Sequence, residues 1–208
     1  MAARYDYLTL ELPRGRPAWA AFTGYMRDEA VDAVARAGGE LLGLFQPQLG
    51  FASNQAVVLL RWPEGASPST SAILKAPKLV SHSHERLSAT VRPQDGDIPP
   101  PGGIYVHRWF TIDGDRVADF VDISNRAWSD FEGSYATEIF GLFTAEPSVE
   151  DQREHQARML LLTRYNDHGV WEESRAPSRD AASLFSQRHE WTRATIGRSS
   201  LLVPLRKS

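Results

Sequence analysis

The sequence predicts an α+β fold made of two tandem βαββαβ units, and three observations carry that prediction. The hexamer ELLGLF at Glu40–Phe45 returns as EIFGLF at Glu138–Phe143, 98 residues on (138 − 40). Phe22 and Phe120 share that offset (120 − 22), and LLRW at Leu59–Trp62 returns as LTRY at Leu162–Tyr165. Between the halves lies RPQDGDIPPPGG, Arg92–Gly103, whose prolines, glycines and aspartates cannot pack a core and read as a linker. The expected layout is therefore residues 1–92, a linker at 93–102, and residues 103–208. A lone unit of this kind leaves one sheet face bare, and two units in one chain can pack sheet to sheet.

The elements follow in order. RYDYLTLEL (Arg4–Leu12) alternates apolar and polar residues as a strand does. Pro17 suits the first turn of a helix, and Ala18–Ala37 carries Trp19, Phe22, Met26, Val31 and Val34 at helical spacing before Gly38-Gly39 ends it. ELLGLFQPQLG is the second strand, broken by Pro47 and Gly50, and QAVVLLRW (Gln55–Trp62) is a short apolar run expected as a buried strand. A small helix near Ser71–Lys75 and a strand at Leu87–Arg92 complete the half. The second half repeats this order: a strand at Gly103–Ile112, an amphipathic helix at Arg116–Phe131, EIFGLF, ARMLLLTRY (Ala157–Tyr165), a helix at Arg179–Arg193 and a strand at Ser199–Leu205.

Composition excludes several classes. Hydrophobic residues are 42% and charged residues 24%, enough for a proper core. A net charge of −3 provides no field for sequence-independent binding of nucleic acid or an anionic membrane. With no cysteine, disulfides, thiolate catalysis and thiolate-held metals are out. No signal-peptide pattern and no membrane-length apolar run is present, so a cytoplasmic protein is expected.

Gly39–Pro63, GELLGLFQPQLGFASNQAVVLLRWP, resembles the NIPSNAP domain through Gly43-Leu44-Phe45, Leu49-Gly50, Asn54 and the apolar strand Val57–Trp62. Ile104–Phe120 is similar to that family's opening strand and turn. The second half departs from the pattern, with Glu146-Pro147 where Leu-Gly would sit and His155 near the Asn position. The resemblance implies tandem ferredoxin-like repeats forming an intramolecular dimeric α/β barrel, and a monomeric pseudo-dimer or a homodimer. It does not imply one activity; that superfamily includes cofactor-independent monooxygenases, cyclases and haem-binding proteins.

No nucleotide-binding, zinc-protease or serine-hydrolase motif is present, so any catalysis must come from scattered residues, without a cofactor or a metal. YVHRWF (Tyr105–Phe110) is the richest stretch, because strand alternation puts Tyr105, His107 and Trp109 on one side and Val106, Arg108 and Phe110 on the other. His107 is a candidate general base; Arg108 and Arg164 are candidate partners for an oxyanion. His107 could instead be a core histidine, and Arg164, which repeats Arg61, could be a structural ion-pair member. Tyr105, Trp109, Trp128, Tyr135, Tyr165 and Trp171 are the candidate walls of a cavity for a hydrophobic aromatic or polyketide-like ligand. The insertion Asn166–Asp180 could be its lid. His82 and His84 could share a metal on an extended segment, though a solvated loop is the expectation there. The reading favours a cofactor-independent oxygenase, cyclase or isomerase; a non-catalytic binder or interaction module is the alternative.

Overall fold

The computed structural model describes residues 3–176 and 179–205, without the side chains of 179–181. Its strands are β1 (Arg4–Glu11), β2 (Glu40–Leu49), β3 (Gln55–Trp62), β4 (Ser81–Ala89), β5 (Ile104–Asp113), β6 (Thr137–Ala145), β7 (Gln156–Tyr165) and β8 (Thr192–Leu202). The helices are α1 (Arg16–Tyr25), α2 (Val31–Arg36), α3 (Ser71–Leu74), α4 (Val117–Ser134), α5 (Val149–Arg153), α6 (His168–Glu173) and α7 (Arg179–Glu190). The chain divides into two compact units, one of residues 1–88 with 200–208 and one of residues 89–199.

In the first unit the antiparallel strand order is β4-β1-β3-β2, and in the second it is β8-β5-β7-β6. Leu8, Leu10, Leu44, Val58, Leu60 and Trp62 pack one face of the first sheet against Phe22, Met26, Ala30 and Val34 of the helical layer. The alternate residues Tyr5, Tyr7, Phe45, Val57 and Leu59 are buried as well, which is why QAVVLLRW is apolar throughout rather than alternating.

The repeated hexamer has a residue-by-residue cause. Glu40 lies across from Arg61, and Glu138 across from Arg164. The ladder slips by one residue just before Gly43 and again just before Gly141, so both second strands carry the same bulge. Leu44 and Leu142 turn to the helix side. Phe45 and Phe143 fold their rings back over the glycines: a methyl on Gly43 would sit 2.6 Å from the Phe45 ring, and one on Gly141 2.9 Å from that of Phe143. Glycine and phenylalanine are thus one device written in two letters. Gly43→Ala is expected to cost about 1–3 kcal/mol, part of it recovered by adding Phe45→Leu, as read from denaturant midpoints. Equal stability of the two variants would refute the coupling.

Several elements depart from the sequence expectations; the last strand, expected at Ser199–Leu205, already begins at Thr192. The helix expected over Ala18–Ala37 contains a wide π turn at Met26–Ala30. Phe22, Met26, Ala30 and Val34 follow one another every four residues, which drifts by about 40° per step on an α-helix; the wider turn brings them back to one face. Ser81–Arg86, expected as a solvated loop, is the start of β4, because its backbone ladders onto β1 from Glu11↔Ser81 to Asp6↔Arg86. Pro47 lies within β2 and does not end it, since the β2–β3 ladder runs only as far as Phe45↔Val57.

Candidate functional site

Aligning the two units through their ladders explains where a site can be. Leu8 faces Val58 in the first unit and Arg108 faces Leu161 in the second, so Arg108 occupies the place of Leu8. By the same register Leu60 becomes Thr163, Trp62 becomes Tyr165 and Tyr7 becomes His107. On the helices, the offset that pairs Phe22 with Phe120 pairs Met26 with Ser124. Leu8, Met26 and Leu60 are completely buried core residues. The second unit has polar residues at all three places, Ser124 and Thr163 buried and Arg108 half-buried.

The consequence is a cavity of about 530 Å³ under the helices of the second unit. Arg108 and Phe110 reach it from β5, Thr163 and Tyr165 from β7, and Trp128 and Phe131 from α4. Trp171 and Arg175 close it from the segment after β7, and Phe185 and Arg188 from α7. Where α3 of the first unit has four residues and inserts Ile73 into the core, α7 has twelve and inserts Arg188. The helix α6 that carries Trp171 starts at Asp167, whose Oδ1 accepts the Val170 N–H at 3.0 Å. The lid expected at Asn166–Asp180 thus holds α6 over 168–173 and extends beyond the described residues at 177 and 178.

The electrostatics of the cavity are one-sided. Its described lining holds Arg108, Arg175, Arg188 and His189 and no Asp or Glu. Arg175 sits 3.3 Å from Glu172 on the exposed side. Arg188 is 8% exposed, and its Nη1 donates to Ser124 Oγ at 3.3 Å. Its guanidinium lies over Phe185, Phe110 and Phe120, 4.7, 5.0 and 5.3 Å from their ring centres. Burial, then the like charge of Arg108, pulls its pKa from the ordinary range down to about 9. Burial pushes the Tyr165 phenol up, against the pull of Arg108. Trp128 and Trp171 each bury an indole Nε1–H that has no hydrogen-bond partner among the described residues.

Of the residues expected from the sequence, Arg108, Trp128, Tyr165 and Trp171 line the cavity. Tyr135 stands beside it, its ring 5.3 Å from that of Phe131 and its hydroxyl donating to the Ala176 carbonyl at 2.9 Å. Tyr105, His107 and Trp109 alternate with Arg108 on β5 and so face away from it. His107 is fully buried on that other face, where burial and then the charge of Arg198 lower its pKa to about 3. Tyr105 donates its hydroxyl to the Pro100 carbonyl at 2.5 Å. Arg164 likewise alternates with Thr163 and Tyr165, and its Nε donates to the Gly102 carbonyl at 3.2 Å. His107 and Arg164 therefore do not meet Arg108 at one site. Sequence reasoning missed Thr163, Ser124 and Arg188; the repeat would have exposed the first two, had the halves been aligned core position by core position.

In the first unit, Asp6 is 4% exposed and accepts from Trp62 Nε1 at 2.7 Å, and its other oxygen lies 2.7 Å from His84 Nε2. His84 is thus committed to a carboxylate, and no cluster of three or more His, Asp or Glu among the described residues is arranged to hold a metal.

No family model matches the chain, and no curated protein matches its sequence. Solved structures do resemble it. A candidate monooxygenase from Lactobacillus acidophilus NCFM aligns over 97% of this chain and 94% of its own, with TM-score 0.63 and 7% identity. One from Fusobacterium nucleatum subsp. nucleatum aligns over 98% and 93%, with TM-score 0.64 and 7% identity. An anthrone oxidase-like protein aligns over 97% and 92%, with TM-score 0.57 and 10% identity. At such identities the likeness establishes fold alone. The chain has an α+β fold of two tandem ferredoxin-like βαββαβ repeats in one polypeptide. No described helix is long and apolar enough to cross a membrane.

Proposed function

We propose that the second unit binds a hydrophobic aromatic or polyketide-like small molecule and acts on it as a monooxygenase, cyclase or isomerase that needs no cofactor. The observation that carries this reading is the conversion of three core positions of the first unit: Leu8 and Leu60 become Arg108 and Thr163, which line a cavity in the second, and Met26 becomes Ser124, which accepts from the cavity residue Arg188. Arg188 beside them is a buried cation with no carboxylate in the described lining, which lowers stability, and a fold keeps such a group where a ligand uses it. Aromatic walls from Phe110, Trp128, Phe131 and Phe185 suit a planar apolar body. Arg108 would stabilise an enolate or phenolate oxygen as charge develops there. The names of the similar structures, monooxygenase and anthrone oxidase-like, agree with such chemistry. The NIPSNAP-like features of Gly39–Pro63 are part of the same reading, as a relative of these barrels. All described lining residues come from one unit, so no second copy is required.

A non-catalytic carrier is the second reading, and one observation favours it. Among the described lining residues the only imidazole is His189, which is exposed, and His107 faces the other way. The test is a panel of hydroxylated polycyclic aromatics followed by oxygen uptake and product mass, without added cofactor. Arg108→Leu with Thr163→Leu, which restores the side chains of Leu8 and Leu60, is expected to lower kcat/KM by about a hundredfold in a folded protein. Turnover unchanged in that variant would place the site elsewhere. Binding lost in the variant, with no conversion by the wild type, would establish the carrier.

A further inference from the structure

The cavity holds more positive charge than a purely apolar ligand needs, and this identifies what the ligand carries. Arg188 reaches the wall between three phenylalanine rings, and its only hydrogen bond given by the described residues is the long one to Ser124. Its neighbour in charge is Arg108, so the two cations repel each other in a space without a described carboxylate. The rings of Trp128 and Trp171 line the same space. A neutral ligand could accept a hydrogen bond from a guanidinium but would leave the positive charge uncompensated. A dianion or a phosphate would demand a polar shell, and the walls are aromatic.

We infer that the ligand is an aromatic monocarboxylic acid, its carboxylate held by Arg188 and Arg108. This rests on the proposed reading of the cavity as the ligand site. A carboxylate has two oxygens with about four acceptor positions, which matches the donors of two guanidinium groups. Its one negative charge neutralises the surplus between the two arginines, while the ring lies among Phe110, Phe131 and Phe185. The first unit again serves as the contrast. With Leu8, Met26 and Ile73 at the corresponding depth, its layer is closed and apolar.

The test compares naphthoate with naphthamide, which has the same shape and no charge, by titration calorimetry on the intact protein near neutral pH. Naphthoate is expected to bind at least tenfold more tightly, the discrimination that one charge-assisted contact provides. Arg188→Met, checked for an unchanged fold by circular dichroism, should reduce the preference to within about twofold. Equal binding of the two probes by the wild type would overturn the carboxylate inference and leave the cavity reading standing. A preference that survives Arg188→Met would overturn the assignment of the anion to Arg188. Failure of both probes to bind would refute the inference and the cavity reading together.

Discussion

Trp62→Ala is expected to remove about 4 kcal/mol or more of folding stability, the largest single loss in the first unit. The indole is 1% exposed and packs in the core with Leu8, Leu60 and Phe22, so truncation leaves a large cavity in a layer whose backbone cannot collapse into it. A second effect adds to the first. The Nε1–H is a hydrogen-bond donor to Asp6, a carboxylate only 4% exposed, and without it Asp6 keeps its contact with His84. Trp62→Phe separates the two effects, because it keeps most of the volume and loses the donor; about 1–3 kcal/mol is expected. Urea unfolding of the three proteins measures both. A Trp62→Ala variant within 1 kcal/mol of wild type would mean that the core of this unit is not organised around that ring.

Acid is expected to destabilise the protein through His107 well before the carboxylates titrate. In the folded chain His107 stays neutral down to about pH 3, because burial and the nearby Arg198 charge disfavour the imidazolium, whereas an exposed histidine protonates near 6.5. Between these values the unfolded chain binds the extra proton, so stability falls as pH falls through this window. The loss reaches about 2 kcal/mol by pH 5. His107→Gln, an uncharged substitute of similar size, should flatten the stability profile between pH 7 and pH 5 even if it lowers stability overall. An unchanged slope would mean that His107 protonates in place. The first unit has Tyr7 at the equivalent position and so has no such liability.

Much of this architecture is legible in the residues themselves. ELLGLF and EIFGLF disclose the duplication because local geometry demands it: a bulge, a glycine beneath a phenylalanine ring, and a glutamate opposite an arginine. The strand and helix order follows from apolar spacing and from Pro17, Gly38 and Gly39, which are local signals. The identity of YVHRWF as a strand with two chemically distinct sides is legible for the same reason.

Which side of that strand holds a cavity was not legible, because alternation assigns residues to two faces without saying what covers either. Only the tertiary structure put Arg108 under α4 and α7 and turned His107 to the other face. Arg188 could not be found from spacing, since it lies eighty residues along the chain from Arg108 (188 − 108) and meets its environment only when α7 docks. Ser81–Arg86 looked like a loop because its side chains are polar; it is a strand because β1 offers its backbone a ladder, and hydrogen bonding of the main chain is indifferent to side-chain polarity. The sequence alone therefore determined the repeat, the order of the elements and the aromatic and basic stock of the second half. Packing decided which of those groups share one space, because a cavity is what remains when non-local side chains fail to fill a layer, and no local pattern records that failure.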